Sequence, residues 1–231
     1  MEELSLARSF GDSLKKETLE LASGYAEIGL DTLVGSEALK EVSFFGTIAS
    51  LYRIGKSIYE WHHLSKLASF MDEIRKGIID EGERQKYQDK VSSNEKSRNR
   101  ELEYILIVVD RYINKDKPRL LAKLYLAYLD GVICWEEFTM YAEVIDRLLP
   151  FDEKILVTED DSITVHRNIN GEAILRLVAL GLMADETNIS PYLRQSNGNI
   201  SLDFEGLSRA VSTDRVYRKT AFGSKLANIL R

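Results

Sequence analysis

The C-terminal part of the chain carries the pattern that most constrains the fold. An apolar helical segment, Ala173 to Leu180, runs into Gly181, and a later segment passes from a strand-like stretch at Val216 into a helix that begins at Thr220. Glycine after the last apolar turn is typical of a helix end, and threonine is a preferred N-cap. Between these segments, Ser196-Asn197-Gly198-Asn199 is a hairpin signal. This order of helix, hairpin, strand and capped helix predicts a winged-helix-like C-terminal domain.

Upstream of this domain, apolar residues recur at the three-to-four spacing of one helix face in several segments. These residues are Leu64, Leu67, Met71, Ile74 and Ile78, then Tyr104, Ile105, Val108, Val109, Tyr112 and Ile113, then Leu121, Leu124 and Tyr128, and finally Phe138, Tyr141, Ile145 and Leu148. Pro118 suits the first turn of a helix, and Pro150 ends one. The sequence therefore predicts a mainly α protein, with a helical domain over residues 1–149 and the winged-helix-like domain over 150–231. Residues 80–101 are highly charged, which predicts either a solvated helix or a linker.

The segment from Phe44 to Tyr59 is apolar over more than half of its helical circumference. Its candidate interaction face consists of Phe44, Ile48, Leu51, Tyr52 and Tyr59. Such a face is buried in a core, against a protein partner or at a membrane surface. Interfacial helices usually carry a basic polar face, and here the few basic residues are offset by glutamates. We therefore expect core packing, a protein partner or self-association ahead of a membrane surface, with a peripheral membrane protein as the third functional hypothesis.

No residue pattern in the chain indicates catalysis, a cofactor or a metal ion. The stretch from Asp130 to Phe138 copies the second half of a calcium loop, but Leu126 and Tyr128 occupy the positions of the first carboxylate ligands. A helical hairpin is the better interpretation of that stretch. One cysteine and three histidines argue against structural zinc, and neighbouring histidines such as His62 and His63 point about 100° apart on a helix. We expect a protein that is not an enzyme.

The distribution of charge along the chain supports an alternative hypothesis, that the protein is a DNA-binding transcriptional regulator. The net charge is -6, yet from residue 209 onward six basic residues face a single acid. The candidate phosphate contacts are Arg215, Arg218, Lys219 and Lys225. Against this hypothesis, the helix expected to lie in the DNA groove offers only Glu172 and Arg176 among charged side chains. The leading hypothesis therefore remains a protein-interaction module.

The compartment is expected to be the cytoplasm. The chain begins Met1-Glu2-Glu3 without a basic and apolar leader, and its longest uncharged run is 11 residues, whereas a spanning helix needs about 20. A single cysteine, Cys134, also suits a reducing environment.

The order of motifs resembles the abortive-infection alpha proteins of bacteria. The helical segment Leu120-Leu121-Ala122 to Ala127 is followed by Leu148-Leu149-Pro150, then by Leu180-Gly181-Leu182 and by Thr220-Ala221-Phe222-Gly223. These motifs occur in the same order as in that family over about 110 residues, from about 115 to 230. The resemblance implies a non-enzymatic role in defence against phage, and it supplies no catalytic residues.

Overall fold

The structure, a computed structural model, describes residues 10–11, 58–77, 95–158, 160–166, 171–186, 193–196, 199–202 and 214–231. The chain divides into two compact units, residues 1–146 and residues 147–231. The predicted domain boundary, between residues 149 and 150, falls just after this division. The described residues are mostly helical, with a small antiparallel sheet, which confirms the predicted mainly α class.

The N-terminal unit contains four helices within its described residues. They are α1 (Ile58–Gly77), α2 (Glu95–Arg111), α3 (Lys117–Leu129) and α4 (Trp135–Arg147). Residues 95–101, which the sequence left open between helix and linker, form the first turns of α2, while 80–94 lie outside the described residues. Apart from these helices, Phe10 and Gly11 are helical and buried, and the Phe10 ring lies 5.9 Å from that of Phe70.

Helices α2 and α4 run parallel, although α3 separates them in the chain. Trp135 at the start of α4 lies 5.6 Å from the Tyr104 ring, just past the middle of α2, and further along both helices Arg111 Nη2 lies 2.9 Å from Glu143 Oε1. Helix α1 runs in the same direction as α3, because Glu73 lies near Lys123 and Gly77 near Leu126. It is therefore antiparallel to α2, and its early residue His62 contacts Ile113, just after the end of α2. Short turns reverse the chain on either side of α3. The four helices therefore alternate in direction along the chain.

An aromatic cluster fills the end of this unit where α3 turns into α4. The buried Phe138 ring stacks on Trp135 at 4.8 Å between centroids and lies 6.1 Å from Tyr125 and 6.0 Å from Tyr128. The turn itself contains Gly131, whose φ of 73° lies in the left-handed region that favours glycine. The stretch that resembles half a calcium loop is thus a helical hairpin with aromatic residues in its core.

The parallel pair α2 and α4 brings two helix C-termini to the same end of the unit. The Lys66 ammonium, from α1, donates to the carbonyls of Asp110 and Tyr112 at the end of α2. The Lys117 ammonium, from the start of α3, donates to the carbonyl of Asp146 at the end of α4. The last carbonyls of a helix have no partner within the helix and carry partial negative charge. Each end is therefore capped by a cation from a different helix.

The C-terminal unit combines three helices with five short strands in its described part. The elements are α5 (Pro150–Leu156), β1 (Ser162–His166), α6 (Gly171–Ala179), β2 (Met183–Asp185), β3 (Leu193–Ser196), β4 (Asn199–Leu202), β5 (Asp214–Lys219) and α7 (Ala221–Leu230). β5 lies between β1 and β2 and pairs antiparallel with both, so the last strand occupies the centre of the sheet. β3 and β4 form a separate antiparallel hairpin, as the Asn-Gly signal predicts.

The glycine and threonine motifs of the sequence meet in space in this unit. Gly181 has φ 73° and follows α6, and the Thr220 hydroxyl donates to the Gly181 carbonyl at 2.7 Å. The same hydroxyl oxygen accepts the Gly223 N–H at 2.9 Å and so caps α7. A Cβ on Gly223 would lie 2.0 Å from the Leu182 carbonyl oxygen. Packing α7 against the start of β2 therefore requires glycine at position 223.

The sequence patterns described above do not predict one strand of the sheet. β1 begins at Ser162 and pairs with β5 as far as His166 opposite Asp214. β1 is only 5 residues long, and its partner lies about 50 residues further along the chain, so no local turn signal marks the pairing.

Candidate docking face on the C-terminal unit

The first turn of α5 is organised by one buried carboxylate. Leu149 precedes the helix in an extended conformation, and its N–H donates to Asp152 Oδ2 at 3.2 Å. Pro150 at the first position fixes the backbone angle that a helix needs. Asp152 is 0% exposed, so its charge requires a partner.

Arg176 of α6 supplies that partner. Its Nη2 lies 2.7 Å from Asp152 Oδ1, and its Nε lies 3.0 Å from Oδ2. Hydrogen bonding to Asp152 raises the pKa of Arg176. A bidentate contact of this kind fixes the orientation of the guanidinium plane and also neutralises the carboxylate. The ion pair joins α5 to α6 and fixes the side chain of Arg176.

The outward face of α6 is otherwise nearly free of positive charge. Residues at helical spacing, Glu172, Leu175, Arg176 and Ala179, point away from the core, whereas Ala173, Ile174 and Leu177 are buried. Leu175 is 56% exposed, although it is large and apolar. The helix therefore presents an apolar residue where a DNA-reading helix needs donors for bases and phosphates.

Two further exposed apolar residues lie at the start of α5, the helix that supplies Asp152 to this ion pair. Leu149 is 48% exposed and Phe151 is 49% exposed. Phe151 precedes Asp152 in the chain, and Leu175 precedes Arg176, so the Asp152–Arg176 contact brings the two segments together. We call Leu149, Phe151 and Leu175 the docking face. Exposed apolar residues on two helices that pack together commonly mark a site of protein interaction.

The structure does not gather the predicted phosphate-binding residues on one surface. Arg215 and Arg218 are exposed and three residues apart on β5, so alternation along a strand places them on opposite faces. Arg218 Nε lies 2.8 Å from Glu186 Oε2, and Arg215 Nη1 lies 3.9 Å from Asp185 Oδ2. Both arginines therefore have acidic neighbours.

The two predicted lysines have different surroundings. Lys219 is buried, and its ammonium donates to the Thr158 carbonyl at 2.5 Å, just beyond the end of α5. Burial lowers the pKa of Lys219, and the nearby Arg231 lowers it further. Lys225 lies half-buried on α7. Lys219 thus has a structural contact rather than a surface position.

The predicted interaction face lies almost entirely outside the described residues. Phe44, Ile48, Leu51 and Tyr52 are not among them. Tyr59 falls within α1, but its side chain is outside the described part. The structure therefore leaves this face as a prediction.

No family model matches the chain, and no curated protein or solved structure is significantly similar to it. The resemblance to the abortive-infection alpha proteins stays a prediction. In the described ranges no helix is both long and apolar enough to cross a bilayer. Among the same residues, no three or more His, Cys, Asp or Glu side chains are placed to hold a metal ion.

The docking face was not among the residues that the sequence singled out, although part of its signal is visible there. The apolar period that buries Ile174 and Leu177 leaves Leu175 beside Glu172 and Arg176 on the opposite face. An apolar residue on the polar face of an amphipathic helix is the detectable sign. Nothing comparable marks Phe151, because its exposure depends on how α5 packs.

Proposed function

We propose that this chain is a non-enzymatic protein-interaction module whose C-terminal unit is a winged-helix-like domain that binds protein through the docking face. The order β1-β5-β2, with the last strand central, supports the winged-helix-like part of the proposal. So does the position of α6 immediately before β2, which is the place of the groove-reading helix in such domains. The resemblance noted above would place this activity in defence against phage.

The proposal rests mainly on the side chains that α6 exposes. The single arginine of this helix is held by the buried Asp152, and its large exposed residue is Leu175. The core of a protein–protein interface is apolar and depleted in charge, whereas a DNA interface is strongly basic. The α6 surface matches the first description.

The test is a comparison of partner recovery by matched variants. Tagged full-length protein is expected to recover a partner from a bacterial lysate, and Phe151→Glu or Leu175→Glu should lower that recovery at least about tenfold, because each places a charge at the centre of an apolar contact. Quantitative mass spectrometry measures the recovered protein. Far-UV circular dichroism checks that each variant is folded.

Ile107→Glu is the matched control. Ile107 is 62% exposed on α2, so the same change adds a charge at an exposed apolar position of the other unit. Partner recovery by this variant should equal that of the unmodified chain. Equal losses in all three variants, or no loss in the two docking-face variants, would refute the proposal.

DNA binding is the second candidate, because Arg215 and Arg218 are exposed on β5. If it were the main activity, a labelled duplex would shift at about 50 mM salt and release as salt rises. Arg218→Glu would then abolish the shift, while Leu175→Glu would leave it unchanged. If the chain instead binds protein through the docking face, the unmodified protein should not shift the labelled duplex.

A further inference from the structure

The contact between α1 and the end of α2 brings three basic side chains to one helix terminus. Lys66 Nζ donates to the Asp110 carbonyl at 2.5 Å and to the Tyr112 carbonyl at 2.9 Å. His62 Nε2 lies 2.7 Å from the Ile113 carbonyl. A carbonyl oxygen can only accept, so Nε2 of His62 carries the proton. Side chains of α1 thus satisfy carbonyls that α2 cannot bond internally.

His63 lies within this contact, next to a carboxylate that also acts on Lys66. Its Nδ1 lies 3.0 Å from Asp110 Oδ1, and its side chain is 14% exposed. Lys66 is 2% exposed, and Asp110 is the carboxylate whose charge acts on it. Asp110 itself is 47% exposed, so solvent weakens its field. A proton on His63 would therefore place a second cation in a site where one carboxylate faces a buried lysine.

The charged groups that act on His63 come from two helices. Lys66 and His62 of α1 disfavour its protonation, and Asp110 of α2 favours it. From α3, Lys123 reaches α1 at Glu73, almost three turns further along the helix. Burial is the largest influence, and it lowers the pKa of His63 below the ordinary value of 6.5. The folded protein therefore favours the neutral form of His63.

We propose that the contact of His62, His63 and Lys66 with the end of α2 is a pH-sensitive latch, which protonation of His63 loosens. The unfolded chain takes up this proton more readily than the folded one. The latch is therefore fully stable above pH 6.5 and weakens as pH falls below it. Histidine is the side chain whose ordinary pKa lies in this range, so the latch is expected to begin loosening as the pH falls below 6.5.

The first test measures the titration of His63 in the full-length protein by NMR. We expect its pKa to lie below 6.5, and we expect Asp110→Asn to lower it further, because that change removes the carboxylate that favours the proton. A pKa at or above 6.5 in the unmodified protein would overturn the proposal. It would mean that the Asp110 charge outweighs burial and that acid strengthens the contact.

The second test follows the contact itself by hydrogen exchange at about pH 7.5 and about pH 5.5, corrected for intrinsic exchange rates. Amides of α1 near Lys66 should lose protection at the lower pH, and those near Ile74 should lose less. His63→Gln keeps a polar side chain without a titrating group, so its protection should not change with pH. An equal loss in His63→Gln and in the unmodified protein would exclude His63 as the sensor.

Discussion

Gly223→Ala is expected to destabilise the C-terminal unit by about 3 kcal/mol, the upper part of the usual range for inserting an atom into a packed site. The added Cβ would lie 2.0 Å from the Leu182 carbonyl oxygen and 2.8 Å from the carbonyl carbon. These are backbone atoms of the residue just before β2, so they cannot rotate away as a side chain can. Urea unfolding followed by circular dichroism, with hydrogen exchange to localise the loss to residues 147–231, measures the effect.

Gly171→Ala is the matched control for this prediction. Gly171 opens α6, and a Cβ there would meet nothing within 4 Å. The change should leave stability unchanged or raise it by up to about 1 kcal/mol, because alanine restricts the unfolded chain. Equal stability of the two variants would show that α7 does not pack closely on Leu182.

Phe138→Ala is expected to destabilise the N-terminal unit by about 4 kcal/mol, in the range for truncating a buried phenylalanine. Phe138 is 0% exposed and contacts four aromatic rings from α2, α3 and α4. Removing its ring leaves a cavity between three helices, which rigid neighbouring rings such as Trp135 and Tyr125 cannot easily fill. Thermal and urea unfolding, read by near-UV circular dichroism of the aromatic cluster, test this result.

Met140→Ala provides the comparison on the same helix. Met140 is 57% exposed on α4, two residues after Phe138, so its truncation should change the free energy of unfolding by no more than about 0.5 kcal/mol. If Phe138→Ala were as mild as Met140→Ala, the aromatic cluster would contribute little to the helical unit. The cluster would then not be its main core.

The sequence predicts most of the helical elements, because their signals are local. Pro118 lies in the first turn of α3, and Gly181 follows α6 with the positive φ that such a helix end requires. The sequence predicts that Pro150 ends a helix; α4 ends at Arg147, and Pro150 itself opens α5. The Asn197-Gly198 signal likewise predicts the register of the β3–β4 hairpin. Each of these features depends on the backbone preferences of one or two residues.

The features that position the candidate site are not local, and the sequence does not reveal them. Asp152 and Arg176 are separated by 24 residues, and neither shows in sequence that it will be paired. Likewise Arg218 looks available for phosphate until the fold places Glu186 against it. The number of basic residues can be counted in a sequence, but their neutralisation by acids from other elements depends on the tertiary fold.

The cations that cap the C-terminal ends of α2 and α4 come from other helices, and this affects how the chain tolerates truncation. Two parallel helices place their negative ends side by side, an arrangement that opposes their association unless cations lie there. Those cations, Lys66 and Lys117, belong to α1 and α3. A fragment that begins after Gly77 would lack Lys66 and leave the end of α2 with bare carbonyls. Loss of α1 is therefore expected to weaken the end of α2 first, whereas α4 keeps the cation that Lys117 of α3 supplies.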